Sequence, residues 1–96
     1  MKIHIDEIQK ITLLLLSKVV ESKGNEIEIE GDYYWDIASD EIYNPYLEPE
    51  NISLGQLSDD IKELNRLLQK NDAVPYDIKR LSNILKVISL ENQTAF

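Results

Sequence analysis

Carboxylates are this chain's main chemical resource. Twelve of its eighteen acidic residues fall between Glu21 and Asp60, where Lys23 is the one base. Asp32, Asp36 and Asp40 are evenly spaced, and oxygen donors suit a hard cation. They lack the Asp-x-Asp-x-Asp-Gly order of a calcium loop, however. Two carboxylates across a cleft can do general acid–base work. In a block this acidic a close pair arises by chance, so proximity alone identifies no enzyme. His4 is the single histidine, and no nucleophilic triad can be assembled around it. Three glycines without a Gly-x-Gly-x-x-Gly or Walker order offer no phosphate cradle. Cysteine is absent, which excludes disulfides and thiolate metal sites. The expectation is a chain that binds rather than catalyses, with no metal and no cofactor.

The same block holds five of the seven aromatic residues: Tyr33, Tyr34, Trp35, Tyr43 and Tyr46. Carboxylates steer a basic partner, and tyrosines supply contact area with few rotatable bonds. The candidate partner-binding residues are therefore Glu26, Glu28, Tyr34, Asp36, Asp40, Glu41, Tyr43 and Tyr46. The competing reading of Glu26, Glu28 and Glu30 is a solvated strand guarded by charge against edge-to-edge pairing. Against it stands the lopsidedness of the block, since a merely solvated surface mixes both signs. A net charge of −8 argues against direct contact with nucleic acid or an anionic membrane, which need basic footprints. The longest apolar run, Leu13 to Leu16, is too short to span a bilayer, which takes about 20 residues. Two acids close to Met1 argue against a secretory signal. A cytoplasmic location is expected.

A chain of 96 residues suggests one small domain over 1–96, with a tail at 91–96 that frays. The elements positioning the acidic block should give an α+β fold. A first helix is expected from about Glu7 to Lys23, with Asp6 as N-cap and Gly24 as the residue that ends it. Ile8, Ile11, Leu15 and Val19 form its apolar stripe. Residues 26–37 read as a β-hairpin. Glu26-Ile27-Glu28-Ile29-Glu30 alternates with period two, Gly31-Asp32 marks the turn, and Tyr33 to Ile37 is rich in strand formers. In the register that buries Ile27, Ile29, Tyr33, Trp35 and Ile37, Trp35 enters the core. Glu26, Glu28, Tyr34 and Asp36 then share the outer face. Residues 38–52 read as an irregular acidic loop, because Pro45 and Pro49 disfavour helix before them.

Two helices should follow. Ser53-Leu54-Gly55-Gln56 reads as a capping box, and Leu54, Leu57, Ile61, Leu64 and Leu68 form the stripe of a helix ending near Lys70. Asp59 and Asp60 suit the positive end of its dipole. The last helix should start near Pro75, with Ile78, Leu81, Leu85 and Ile88 as its stripe.

The segments Tyr33-Tyr34-Trp35-Asp36-Ile37, Tyr43-Asn44-Pro45-Tyr46, Glu48-Pro49 and Leu54-Gly55-Gln56-Leu57-Ser58-Asp59-Asp60 resemble those of small uncharacterised bacterial proteins. These carry a Tyr-Trp strand, a Tyr-x-Pro-Tyr loop and a Gly-Gln-Leu-Ser-Asp-Asp helix start. More loosely, the chain resembles the small acidic immunity proteins of bacterial toxin systems, including contact-dependent inhibition. That resemblance implies a cytoplasmic inhibitor of one basic toxin or nuclease domain, and it transfers no catalytic residue. The alternative is a non-catalytic structural or regulatory module that self-associates as a homodimer through its apolar helices.

Overall fold

The computed structural model describes residues 1–37 and 52–91, with the side chains of 35–37, 52 and 53 outside that description. The protein is α+β: three helices and an antiparallel pair of strands among the described residues. The expected irregular loop, with Asp40, Glu41, Tyr43 and Tyr46, lies outside the described residues, as does the tail after Glu91. Two compact units divide the chain, Met1–Glu28 and Ile29–Glu91.

The first unit is built on α1 (Ile5–Lys23). Asp6 and Glu7 occupy its first turn and Lys23 its last, matching the helix dipole. The helix begins earlier than expected: its N-cap is His4, which makes no side-chain cap bond. Asp6 therefore lies inside the first turn instead of capping it. The C-terminal expectation holds. Gly24 adopts φ 84°, in the left-handed region, and donates its N–H to the Val20 carbonyl at 2.9 Å. Along the apolar stripe Val19 is buried, whereas Ile8, Ile11 and Leu15 remain exposed.

The second unit contains β1 (Tyr33–Ile37), β2 (Ile52–Gln56), α2 (Leu57–Arg66) and α3 (Tyr76–Glu91). The strand partners differ from the expected ones. β1 pairs with β2, placing Tyr34 opposite Gly55 and Trp35 opposite Leu54. Residues Glu26–Glu30 belong to no strand. Gly31-Asp32 is not a hairpin turn, because Asp32 is held by the start of α2. Its carbonyl accepts the Leu57 N–H at 2.7 Å.

Ser53-Leu54-Gly55-Gln56 likewise forms strand instead of a first helical turn, and α2 begins at Leu57. The capping-box pattern of local residues loses to the ladder of β1. The far end of α2 tightens into i→i+3 bonds from Leu67, Leu68 and Gln69, of 3.0–3.1 Å. That extends the turn-like path to Lys70, near the expected end.

At the start of α3, Asp77 donates its N–H to the Val74 carbonyl at 2.9 Å. Its carboxylate accepts the Val74 N–H, also at 2.9 Å. The carboxylate thus reaches back to an amide ahead of the helix, one half of a capping box. Val74, lacking a side-chain acceptor, offers only its carbonyl, and Pro75 stands directly before α3. α2 and α3 pack on each other, and among the described residues the buried ones of this unit are Leu57, Asp60 and Asp77. Two of those three are carboxylates. Ile61, Ile78 and Leu81, expected on buried stripes, are exposed at 42%, 75% and 43%.

Candidate functional site

Asp32, Gln56 and Ser58 meet at the N-terminus of α2. Gln56 is the N-cap residue but makes no cap bond with its own side chain. Asp32 supplies one from a distant part of the chain. One carboxylate oxygen accepts the Ser58 N–H at 2.7 Å. The other accepts from Gln56 Nε2 and from Ser58 Oγ, both at 2.8 Å. The Gln56 side chain, followed by the Ser58 hydroxyl and amide, holds the Asp32 carboxyl below its ordinary value of 3.8. Both oxygens are thus occupied by protein donors, which gives Asp32 a structural use.

Tyr34 joins three elements. Its hydroxyl donates to Asp60 Oδ2 on α2 at 2.5 Å and accepts from Asn83 Nδ2 on α3 at 2.7 Å. Asn83 also reaches Asp60 Oδ2 at 3.4 Å. Asp60 is only 8% exposed, so these donors compensate a carboxylate withdrawn from water. The ring of Tyr34 lies over Gly55. A β-carbon there would collide with its Cε2 and Cζ and would stand 2.7 Å from its hydroxyl oxygen. Absence of a side chain at 55 is what allows the ring to reach across β2 to the helices.

A second polar cluster ties the α2–α3 connection. Arg66 pairs with Asp72, with Glu63 at 3.5 Å and with Asp77 at 3.3 Å. Arg80 pairs with Asp77 at 2.7 Å and stacks on Tyr76, its guanidinium carbon 4.6 Å from the ring centroid. The Val74 N–H, with Arg80 and Arg66, lowers the Asp77 carboxyl against the opposing effect of burial. The Asp72 hydrogen bond raises the Arg66 guanidinium. Beside this cluster an open apolar groove of about 470 Å³ is lined by residues that include Leu64, Leu67, Val74, Ile78 and Leu81.

The eight residues singled out from the sequence are not gathered into one described face. Glu26 and Glu28 are exposed on an unpaired segment and belong to the first unit. Tyr34 is half-buried in the second unit, its hydroxyl engaged by Asp60 and Asn83. Asp36 lies in β1 opposite Ser53, its side chain outside the description. Asp40, Glu41, Tyr43 and Tyr46 lie outside the described residues. The expected outer face of Glu26, Glu28, Tyr34 and Asp36 needed a 26–37 hairpin, and β1 has taken β2 instead.

Sequence reasoning missed Asp32, Gly55, Asn83 and the inward roles of Asp60 and Asp77. One signal was present. Asp60 stands three residues after Leu57 and four before Leu64, on the inward stripe of α2, where an acid requires a partner. A glycine beside a strand-like run also marks close approach of another group. No group of three or more His, Asp or Glu side chains converges on a metal-sized site among the described residues. No described helix is long and apolar enough to cross a membrane. Comparison with protein-family models, with curated proteins and with solved structures returns no match to the chain.

Proposed function

We propose that the protein is an acidic protein-binding inhibitor acting in the cytoplasm. In this reading it is an immunity protein that neutralises a basic toxin domain, such as a nuclease, by covering its cleft. The observation that carries the reading is the acidic block, and above all its unspent charge. Glu26, Glu28 and Glu30 are exposed and form no ion pair among the described residues. Elsewhere in the chain Glu63, Asp72 and Asp77 pair with Arg66 and Arg80. Free carboxylates accelerate encounter with a basic surface and pair there with Lys or Arg. In a nuclease cleft they would take the places of phosphates. The protein then acts by occlusion and performs no chemistry of its own.

The test is capture from lysate of the native host at low and moderate salt, followed by an activity assay. Recovery of one basic protein at low salt, thinned at moderate salt and inhibited stoichiometrically by the purified chain, is expected. Absence of any basic partner at both salts would overturn the reading.

A second reading, a non-catalytic module that self-associates through its apolar helices, is favoured by one observation. Ile8, Ile11 and Leu15 of α1 are exposed at 46–49%. A mass that rises with protein concentration, without a heterologous partner, would establish it.

A further inference from the structure

Ile8, Ile11 and Leu15 stand at helical spacing, so they form one ridge along α1. All three are exposed, as is Leu14 beside them, whereas Thr12, Leu16 and Val19 turn to a side that is half-buried or buried. The hydroxyls that border the ridge are already spent on the helix itself. Thr12 Oγ1 donates to the Ile8 carbonyl at 2.7 Å, and Ser22 Oγ donates to the Val19 carbonyl at 3.2 Å. Covering the ridge therefore strands neither of them. Glu7 and Lys18 are about three helical turns apart, which puts them on the same edge of the ridge, near its two ends.

We infer that this ridge is the seam of a homodimer, in which α1 of a second copy lies antiparallel across it with the twofold axis between Thr12 and Leu13. This deepens the self-association reading and rests on it, not on the inhibitor reading. Charge chooses both the occupant and its direction. In a chain of net charge −8, α1 balances Asp6, Glu7 and Glu21 with Lys10, Lys18 and Lys23. A balanced helix gives a highly charged partner no steering, yet it lets a second acidic copy approach. In the antiparallel pair Glu7 of each copy stands level with Lys18 of the other, and symmetry makes the contact twice. Glu7 makes no ion pair among the described residues, and Lys18 meets Glu21 at 3.7 Å in an exposed contact. The same register sets Ile11 of the second copy level with Leu14, where it enters the gap between Ile11 and Leu15. A parallel pair would set Glu7 level with Glu7 and Lys18 level with Lys18. It would also lay like ends of the helix dipole side by side.

Sedimentation equilibrium of the full chain over a range of concentrations tests this, with far-UV circular dichroism to confirm that each variant keeps its helices. The parent chain should pass from monomer to dimer as concentration rises. Glu7→Lys and Lys18→Glu each turn both cross-seam pairs repulsive, and each should raise the dimer dissociation constant about tenfold. The double variant E7K/K18E reverses the pairs without removing them and should return the constant nearly to the parent value. Ile11→Gln with Leu15→Gln should abolish the dimer. Three outcomes overturn the inference. A dimer lost with I11Q/L15Q but indifferent to both charge variants pairs through α1 in another direction. A dimer that survives I11Q/L15Q joins elsewhere and spares the self-association reading. A monomer at every concentration removes the seam and the self-association reading together, and leaves the inhibitor reading to the capture from lysate.

Discussion

The ring of Tyr34 crosses the bare α-carbon of Gly55 on the neighbouring strand and ends in a 2.5 Å hydrogen bond to Asp60. One glycine thus sets the distance at which the two-stranded sheet meets α2 and α3. An isolated pair of strands is marginal in water, so this clamp supplies anchorage that two strands lack.

Gly55→Ala should destabilise the fold by about 1–3 kcal/mol, because the new β-carbon overlaps the Tyr34 ring and the ring has to leave its bonds. The backbone at 55 is not in the left-handed region, so the effect is steric. In a Tyr34→Ala background the same change should become neutral or stabilising by up to about 1 kcal/mol, as alanine replaces glycine in a strand. Urea midpoints of the four proteins in this cycle check the sign reversal. Equal costs in both backgrounds would show that the ring is not what excludes a side chain.

Tyr34→Phe keeps the ring and deletes the hydroxyl. Asp60 then loses its close donor while remaining buried, at a cost of about 1–3 kcal/mol. The double variant Tyr34→Phe with Asp60→Asn should cost less than the sum of the single changes, because the two groups share one bond. Chemical denaturation measures this, and strict additivity would dissolve the pair.

Asp32 and Asp77 should give the protein an acid limb. Both carboxyls sit below the ordinary 3.8 in the folded state. A depressed folded value means that the unfolded chain binds protons first as pH falls. Their stabilisation is complete above about pH 4 and disappears as pH drops through the lower folded values. Thermal midpoints against pH should fall steeply on the acid side. Asp32→Asn and Asp77→Asn should each flatten that descent while lowering the midpoint at neutral pH. A variant whose curve runs parallel to the parent's would show that its carboxylate does not contribute.

Glu28→Lys should leave thermal stability unchanged within error, since the side chain is exposed and makes no ion pair among the described residues. Binding to a basic partner should weaken and lose part of its salt dependence. Affinity that is indifferent to this reversal would remove Glu28 from the proposed contact.

Helices were legible in the sequence where local chemistry decides. Gly24 ends α1 because few other residues tolerate its positive φ, and Pro75 precedes α3 because its missing N–H costs nothing there. The strand character of Tyr33 to Ile37 and the α+β class follow from aromatic and β-branched content and from periodicity. Strand pairing was not legible. Glu26–Glu30 and Ile52–Gln56 were both available to β1, and the nearer segment carried the cleaner alternation. Tertiary structure chose the farther one, since Gly55 alone makes room for the Tyr34 ring and Asp32 alone caps α2 from outside. Each choice depends on a contact more than twenty residues away along the chain, 26 from Tyr34 to Asp60 and 24 from Asp32 to Gln56. Local propensity does not encode that separation. The excess of acid between Glu21 and Asp60 is written in the sequence. Which of those acids are spent on the fold and which stay free was decided only when α2 drew in Asp32 and Asp60.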